Sequence, residues 1–234
     1  MITLRRAADR GTFDHGWLQT AHTFSFAGYH DAAHMQFSSL RVLNEDVVAP
    51  GEGFGMHGHS DMEILTWVLR GALRHEDSMG HTEVLRPGEV QVMSAGTGVM
   101  HSEVNPSPNE PVHLLQIWIV PGKRSLVPSY AQRPVDRSKM RGALLAIAAP
   151  SGQPAVVEIH QDAVVHATEL ARGQRLAVPL RTGRRAWIQV ARGSFDLDGT
   201  ALRAGDGAAI TDATTFTLTG ASDTPAEALV FDLT

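Results

Sequence analysis

The chain has 234 residues, 43% of them apolar, a formal charge of −5 and no cysteine. That length holds one large β-domain or two small ones with a real core, and the missing cysteines exclude a disulfide scaffold, thiolate metal ligation and a cysteine nucleophile together. The mild negative charge, with no basic run beyond Arg184-Arg185, lacks the footprint of direct binding to a nucleic-acid backbone.

The opening Met1-Ile-Thr-Leu-Arg-Arg-Ala-Ala-Asp-Arg carries charges where a signal peptide needs an apolar stretch. The longest apolar run, Ala143 to Ala149, is far too short to span a bilayer. The expected location is the cytoplasm, with no membrane partner. From there short alternating runs recur between turn residues, the pattern of an antiparallel all-β protein. Strands are predicted at Gln36 to Leu43, Glu63 to Arg70, Leu73 to Asp77, Glu89 to Ser94, Met100 to Asn105 and His113 to Val120, each bounded by Gly, Pro, Asp or Asn.

Two short words carry the chemistry: His57-Gly-His59, and His101-Ser-Glu103. On a strand every second side chain points to the same face, so each word aims two donor groups one way. If the two strands pair, three imidazoles and one carboxylate converge. Such an N3O set suits Fe, Mn, Ni, Cu or Zn and is too nitrogen-rich for Mg or Ca. On the strand that follows, Gln116 shares a face with Leu114 and Trp118, where it either lines a pocket or satisfies a buried backbone group. Phe24, Phe26 and Phe54 stand open between pocket wall and core packing.

Residues 122–142 are charged and polar, with Pro128 and Pro134 spaced through them just after Pro121, and read as a linker. The expected division is a domain at 1–121 with the metal site, the linker, and a second domain at 143–234. Beyond the linker the first half's design returns. Val68-Leu-Arg-Gly71 and Leu85-Arg-Pro-Gly88-Glu89 are echoed by Val190-Ala-Arg-Gly193 and Leu202-Arg-Ala-Gly205-Asp206, a period of about 120 residues. Counting back from the repeated glycine puts Pro179 and Arg181 where the first copy has His57 and His59, so the second copy is expected to hold no metal. His160 and His166 are isolated and take no role.

The spacing Gly51-x5-His57-x-His59-x3-Glu63 resembles the first motif of the cupin superfamily of small metal-holding β-barrels. More specifically, His22-Thr-Phe-Ser-Phe-Ala-Gly-Tyr, Leu40-Arg-Val-Leu-Asn-Glu-Asp, the run Gly53 to Trp67 and the run Gly88 to Glu103 resemble the pirin family. The resemblance implies a bicupin of two antiparallel jelly-roll barrels with one divalent metal in the first. It places the ligands at His57, His59, His101 and Glu103 and implies Fe(II) as the occupant, with Cu, Ni, Mn, Co and Zn compatible with the same donors. Two spacings depart from the general cupin pattern, one between Glu63 and Gly71 and one between Gly96 and His101; pirins share them and use Glu103 in place of the usual cupin glutamate, which leaves Glu63 as a candidate either to support the ligands from behind or to line the pocket. Gly58 stands where many pirins carry proline, and is expected to point away from the metal and leave ligation intact.

For function the resemblance implies two readings. In the first, the chain is a quercetin 2,3-dioxygenase-type oxidoreductase that opens flavonols with O2 and releases carbon monoxide. Glu103 is then either the catalytic base for the 3-hydroxyl or a fixed anionic ligand. In the second, it is a non-enzymatic, metal- or redox-responsive regulator that acts through a protein partner.

Overall fold

Short alternating runs closed by tight turns leave the chain almost wholly β in the computed structural model, which describes residues 1–234. In chain order the first strands are β1 (Ile2–Arg5), β2 (Gly11–Asp14), β3 (Leu18–His22), β4 (Leu40–Val48), β5 (Gly53–His59), β6 (Glu63–Arg70), β7 (Leu73–Asp77), β8 (Thr82–Leu85), β9 (Glu89–Ser94), β10 (Val99–Val104), β11 (Val112–Ile119) and β12 (Ser129–Pro134). They are followed by β13 (Leu145–Ala149), β14 (Val157–Glu158), β15 (Val164–Leu170), β16 (Arg175–Pro179), β17 (Arg185–Arg192), β18 (Ser194–Leu197), β19 (Thr200–Arg203), β20 (Gly207–Ile210), β21 (Thr215–Gly220) and β22 (Ala226–Leu233). The helical content is two single turns, Ala7–Asp9 and Arg137–Met140.

Two compact units divide the chain: one of Gly11–Val135 with Val156–Gln161, the other of Met1–Arg10, Asp136–Ala155 and Asp162–Thr234. We call them the N-terminal and C-terminal units. The segment 122–142 holds β12, which pairs along β9 from Ser129 opposite Ser94 to Pro134 opposite Glu89. Pro134 closes that strand, a position at which its missing N–H is tolerated.

The N-terminal unit has a large sheet in the order β12-β9-β6-β11-β4-β3-β2 and a small one in the order β5-β10-β7-β8. In the C-terminal unit the order is β1-β20-β17-β22-β15-β13 for the large sheet and β16-β21-β18-β19 for the small one. Strand for strand, β9-β6-β11-β4 corresponds to β20-β17-β22-β15, and β5-β10-β7-β8 to β16-β21-β18-β19. The repeat read from sequence is thus a repeat of topology. No ladder joins the two sheets of a unit, so each unit is a pair of sheets rather than the barrel expected from the resemblance.

The repeated glycines have a common steric reason. Gly71 and Gly193 both have positive φ, +79° and +69°, and a Cβ would lie 2.7 Å from the Pro111 carbonyl oxygen in one copy and 3.0 Å from Ala226 Cα in the other. Only glycine turns the chain there without a clash.

The interiors of the two units differ. In the C-terminal unit one cluster runs through both sheets, with Val178 of β16 and Phe216 and Leu218 of β21 packed against Ile188, Val190, Ala228 and Val230. The N-terminal unit has two smaller clusters, and further buried apolar residues such as Leu43, Leu65, Trp67, Val92, Leu115 and Ile117 lie outside both. One cluster gathers Val48, Val68, Leu73, Leu85, Val112 and Leu114; the other gathers Ile64, Met93, Ala95 and Val99. His75, Gln91, His101 and Glu103 are buried in this unit as well.

Candidate metal centre

β5 and β10 pair antiparallel with His57 opposite His101, so the two words predicted from sequence meet on one ladder. A register shift between His101 and Glu103 sets Glu103 opposite Phe54, a bulge of the kind that re-aims a side chain. The nearest donor atoms of His57, His59 and His101 all lie within 4.8 Å of one another. Glu103 enters a second, overlapping trio with His101 and His75, within the same limit.

The hydrogen bonds distinguish the histidines. His57 Nδ1–H donates to the Gly55 carbonyl at 2.7 Å, which leaves Nε2 as a free acceptor, the tautomer a metal requires. His75 is engaged at both nitrogens: Nε2 donates to Asp77 Oδ2 at 3.0 Å, and Nδ1 faces the Gln91 amide nitrogen at 3.4 Å. His101 is 1% exposed, yet neither of its ring nitrogens has a partner. Buried polar atoms are rarely left so. Of the two trios, the one built on His57, His59 and His101 therefore has the donors to spare. Burial and the neighbouring imidazoles lower the His59 pKa to about 4 and that of His101 to about 3, so both are neutral at physiological pH, the form that can bind a metal. The donor set fits a divalent transition metal.

Burial has the opposite effect on Glu103, pushing it up to about 7 against hydrogen bonds from Gln116 and Thr66. Gln116 Nε2 donates to Glu103 Oε2 at 2.8 Å, and its carbonyl accepts from the Thr66 hydroxyl at 2.8 Å. Of the two roles open to Gln116, pocket lining is the one observed, and it fixes the carboxylate's orientation.

These groups face a cavity of about 430 Å³, a volume typical of small-molecule sites. Its aromatic wall is Trp17, Phe26, Phe54 and Trp118. Trp118 stands edge-on to both Phe26 and His59, with centroids 5.3 and 4.8 Å apart. Phe24 is not in the wall; it is 2% exposed and packs in the core. The facing wall comes from β3 and β4, whose cross-strand pairs Thr20 with Asp46 and His22 with Asn44 turn four polar side chains to the cavity. One oxygen of Asn44 and one of Asp46 have no hydrogen-bond partner within the protein.

Glu63 is buried, but it lies on β6 an odd number of residues from Thr66 and so on the opposite face from the cavity. There it accepts from the Ser94 hydroxyl at 2.7 Å and pairs with His160 at 3.3 Å, a structural role for both residues. Gly58 points away from the imidazoles, and a Cβ there would lie 3.0 Å from Met100 Sδ. The predicted strand Gln36 to Leu43 starts later, at Leu40, because Ser38 has φ +53° and Phe37 and Leu40 close a turn; it then continues through Asn44 and Asp46. Pro179 is exposed on β16, Arg181 lies beyond the strand's end, and the inward positions are Leu176 and Val178. The loop after β16 is longer than the one after β5, which shifts a count made from the glycine. His75 and Asp77 went unread, although His75-x-Asp77 is a third period-2 word on the strand beside β10.

One sheet pair used twice, with a convergent His/Glu cluster in the first copy, defines a two-domain cupin-type protein. Residues 3–119 match the family model described as Pirin, and residues 146–233 match that described as Quercetinase C-terminal cupin domain. The chain belongs to the pirin family. It is 45% identical over 233 residues to the quercetin 2,3-dioxygenase of Escherichia coli K12, covering 100% of this chain and 99% of that one. The crystal structure of YhhW from Escherichia coli superposes with a TM-score of 0.95 at 43% identity, covering 100% of this chain and 98% of that one. A structure of the bacterial pirin YhhW in complex with nickel(II) gives 0.93 at 42% identity, covering 100% and 99%. No helix is long and apolar enough to cross a membrane.

Proposed function

We propose that this chain is a metal-dependent dioxygenase of the quercetin 2,3-dioxygenase type, opening a flavonol with O2 and releasing carbon monoxide. His57, His59, His101 and Glu103 hold its single divalent metal, for which iron(II) is the family's usual choice. Nickel also fits the donors, and a relative has been crystallised with it. The observation that carries this reading is His101, buried with both ring nitrogens unpartnered beside two further imidazoles and a carboxylate, on an aromatic-walled cavity. When bound, the metal supplies Lewis acidity, which favours the ionised form of a coordinated hydroxyl.

The chain's own groups do the rest. Glu103, held by Gln116 and Thr66 and pushed up to about 7 by burial, takes the proton of the flavonol 3-hydroxyl. Trp17, Phe26, Phe54 and Trp118 sandwich the planar rings and keep water from them. One feature favours the second reading, a regulator acting through a protein partner: Met56 and Met100 are exposed, 57% and 44%, on the two ligand-bearing strands.

Oxygen uptake, flavonol absorbance and carbon monoxide, measured together on metal-loaded protein under air and under nitrogen, separate the two. The dioxygenase reading expects coupled loss of oxygen and flavonol with carbon monoxide released. Metal-replete protein that consumes no oxygen with any of several flavonols would leave the regulator.

A further inference from the structure

The cavity has a wall that the proposed reaction does not use. Asn44 and Asp46 sit two residues apart on β4, both 4% exposed, and each keeps one side-chain oxygen without a hydrogen-bond partner. The other Asp46 oxygen is engaged by the Thr20 hydroxyl across the ladder. A ligand that satisfies this wall must bring donors, because the unpartnered atoms are acceptors. It must not bring negative charge to this wall, where Asp46 stands and no lysine or arginine lines the cavity. Neutral hydroxyl groups on a flat aromatic frame meet both conditions, the frame lying against Trp17, Phe54 and Trp118.

We infer that Asn44 and Asp46 form a hydroxyl-recognition subsite, selecting polyhydroxylated substrates by binding ring hydroxyls other than the one at the metal. This rests on the flavonol reading above. The subsite makes Asn44 and Asp46 specificity-determining residues: they bind substrate hydroxyls and take no part in the chemistry. A site built to pair with a hydroxyl discriminates strongly against the analogue that lacks it, since the buried oxygens are then left bare.

The test is calorimetric titration of nickel-loaded, full-length protein under nitrogen, where no turnover competes with binding. Quercetin is compared with 3-hydroxyflavone, which keeps only the 3-hydroxyl. Wild type is expected to bind quercetin about 10-fold or more tightly than 3-hydroxyflavone, the scale of one or two hydrogen bonds. Asn44→Leu and Asp46→Leu should bring that ratio within about threefold while leaving the 3-hydroxyflavone Kd nearly unchanged, the signature of a pairwise interaction. Asp46→Asn, which keeps an acceptor oxygen, should retain most of the preference. Where a leucine variant does not fold, alanine at the same position gives the same comparison. A wild type indifferent to the extra hydroxyls, or variants that keep the ratio or lose both ligands equally, would overturn the subsite and leave the dioxygenase reading standing. Wild type that binds neither flavonol would overturn both.

Discussion

The two units use one arrangement of strands for opposite purposes. On β5 and β10 the inward positions carry His57, His59, His101 and Glu103; on the equivalent β16 and β21 they carry Leu176, Val178, Phe216 and Leu218. The C-terminal interior is filled by side chains worth about 1.5–3 kcal/mol each on burial. The N-terminal interior gives up that gain, and it leaves His101, Asn44 and Asp46 with buried polar atoms unpartnered. A sheet pair can thus be closed by packing or left open as a polar cavity, and here a single chain does both.

If the C-terminal unit is packed core, Phe216→Ala should be the most damaging change to stability. Phe216 is 2% exposed within the single large cluster, and truncating a buried phenylalanine costs about 3–5 kcal/mol. Chemical denaturation measures that loss, and the protein that remains folded should still bind its full complement of metal. A smaller cost, with metal lost instead, would break the division of roles. In the N-terminal unit, Glu103→Gln should cut turnover by about 10²-fold, the scale for loss of a general base, in preparations shown by elemental analysis to retain metal. Unchanged turnover would make Glu103 a ligand alone.

A third expectation concerns the polar cavity wall and is smaller. Burial pushes the Asp46 carboxyl up from 3.8 to about 7; the Thr20 hydrogen bond opposes this, Glu103 and Glu45 reinforce it and His113 opposes it. A folded-state pKa above the unfolded one means that Asp46's contribution is fully present below about pH 4 and is lost as pH rises through about 7. Asp46→Asn cannot ionise. In metal-free protein its melting temperature should gain on wild type between pH 5 and pH 8 by several degrees, given about 2–4 °C per kcal/mol for chains of this size. A gap that does not grow over that range would mean Asp46 stays ionised throughout.

What the sequence disclosed follows the same divide. Period-2 words on strands are readable because spacing alone fixes the face. That is why each word could be read as aiming two donors one way, and β6, β7 and β9 fall at their predicted residues. Asn and Asp favour turns, so the expected strand stops at Leu43; the observed one continues to Val48 and turns Asn44 and Asp46 to the cavity. Glu63 illustrates a different limit. Its motif position suggested the pocket, but one residue of register puts it on the far side of β6. The loop before β17 similarly displaced Pro179 and Arg181 from the positions that a count from Gly193 gave them.

Metal per chain is the most direct test of the central claim that one unit of the pair is armed. Elemental analysis after loading with nickel(II) and desalting should give one equivalent in wild type and in His160→Ala, whose imidazole pairs with Glu63 on the other face of β6, and essentially none in His101→Ala. Two equivalents in wild type, or one remaining in His101→Ala, would contradict it.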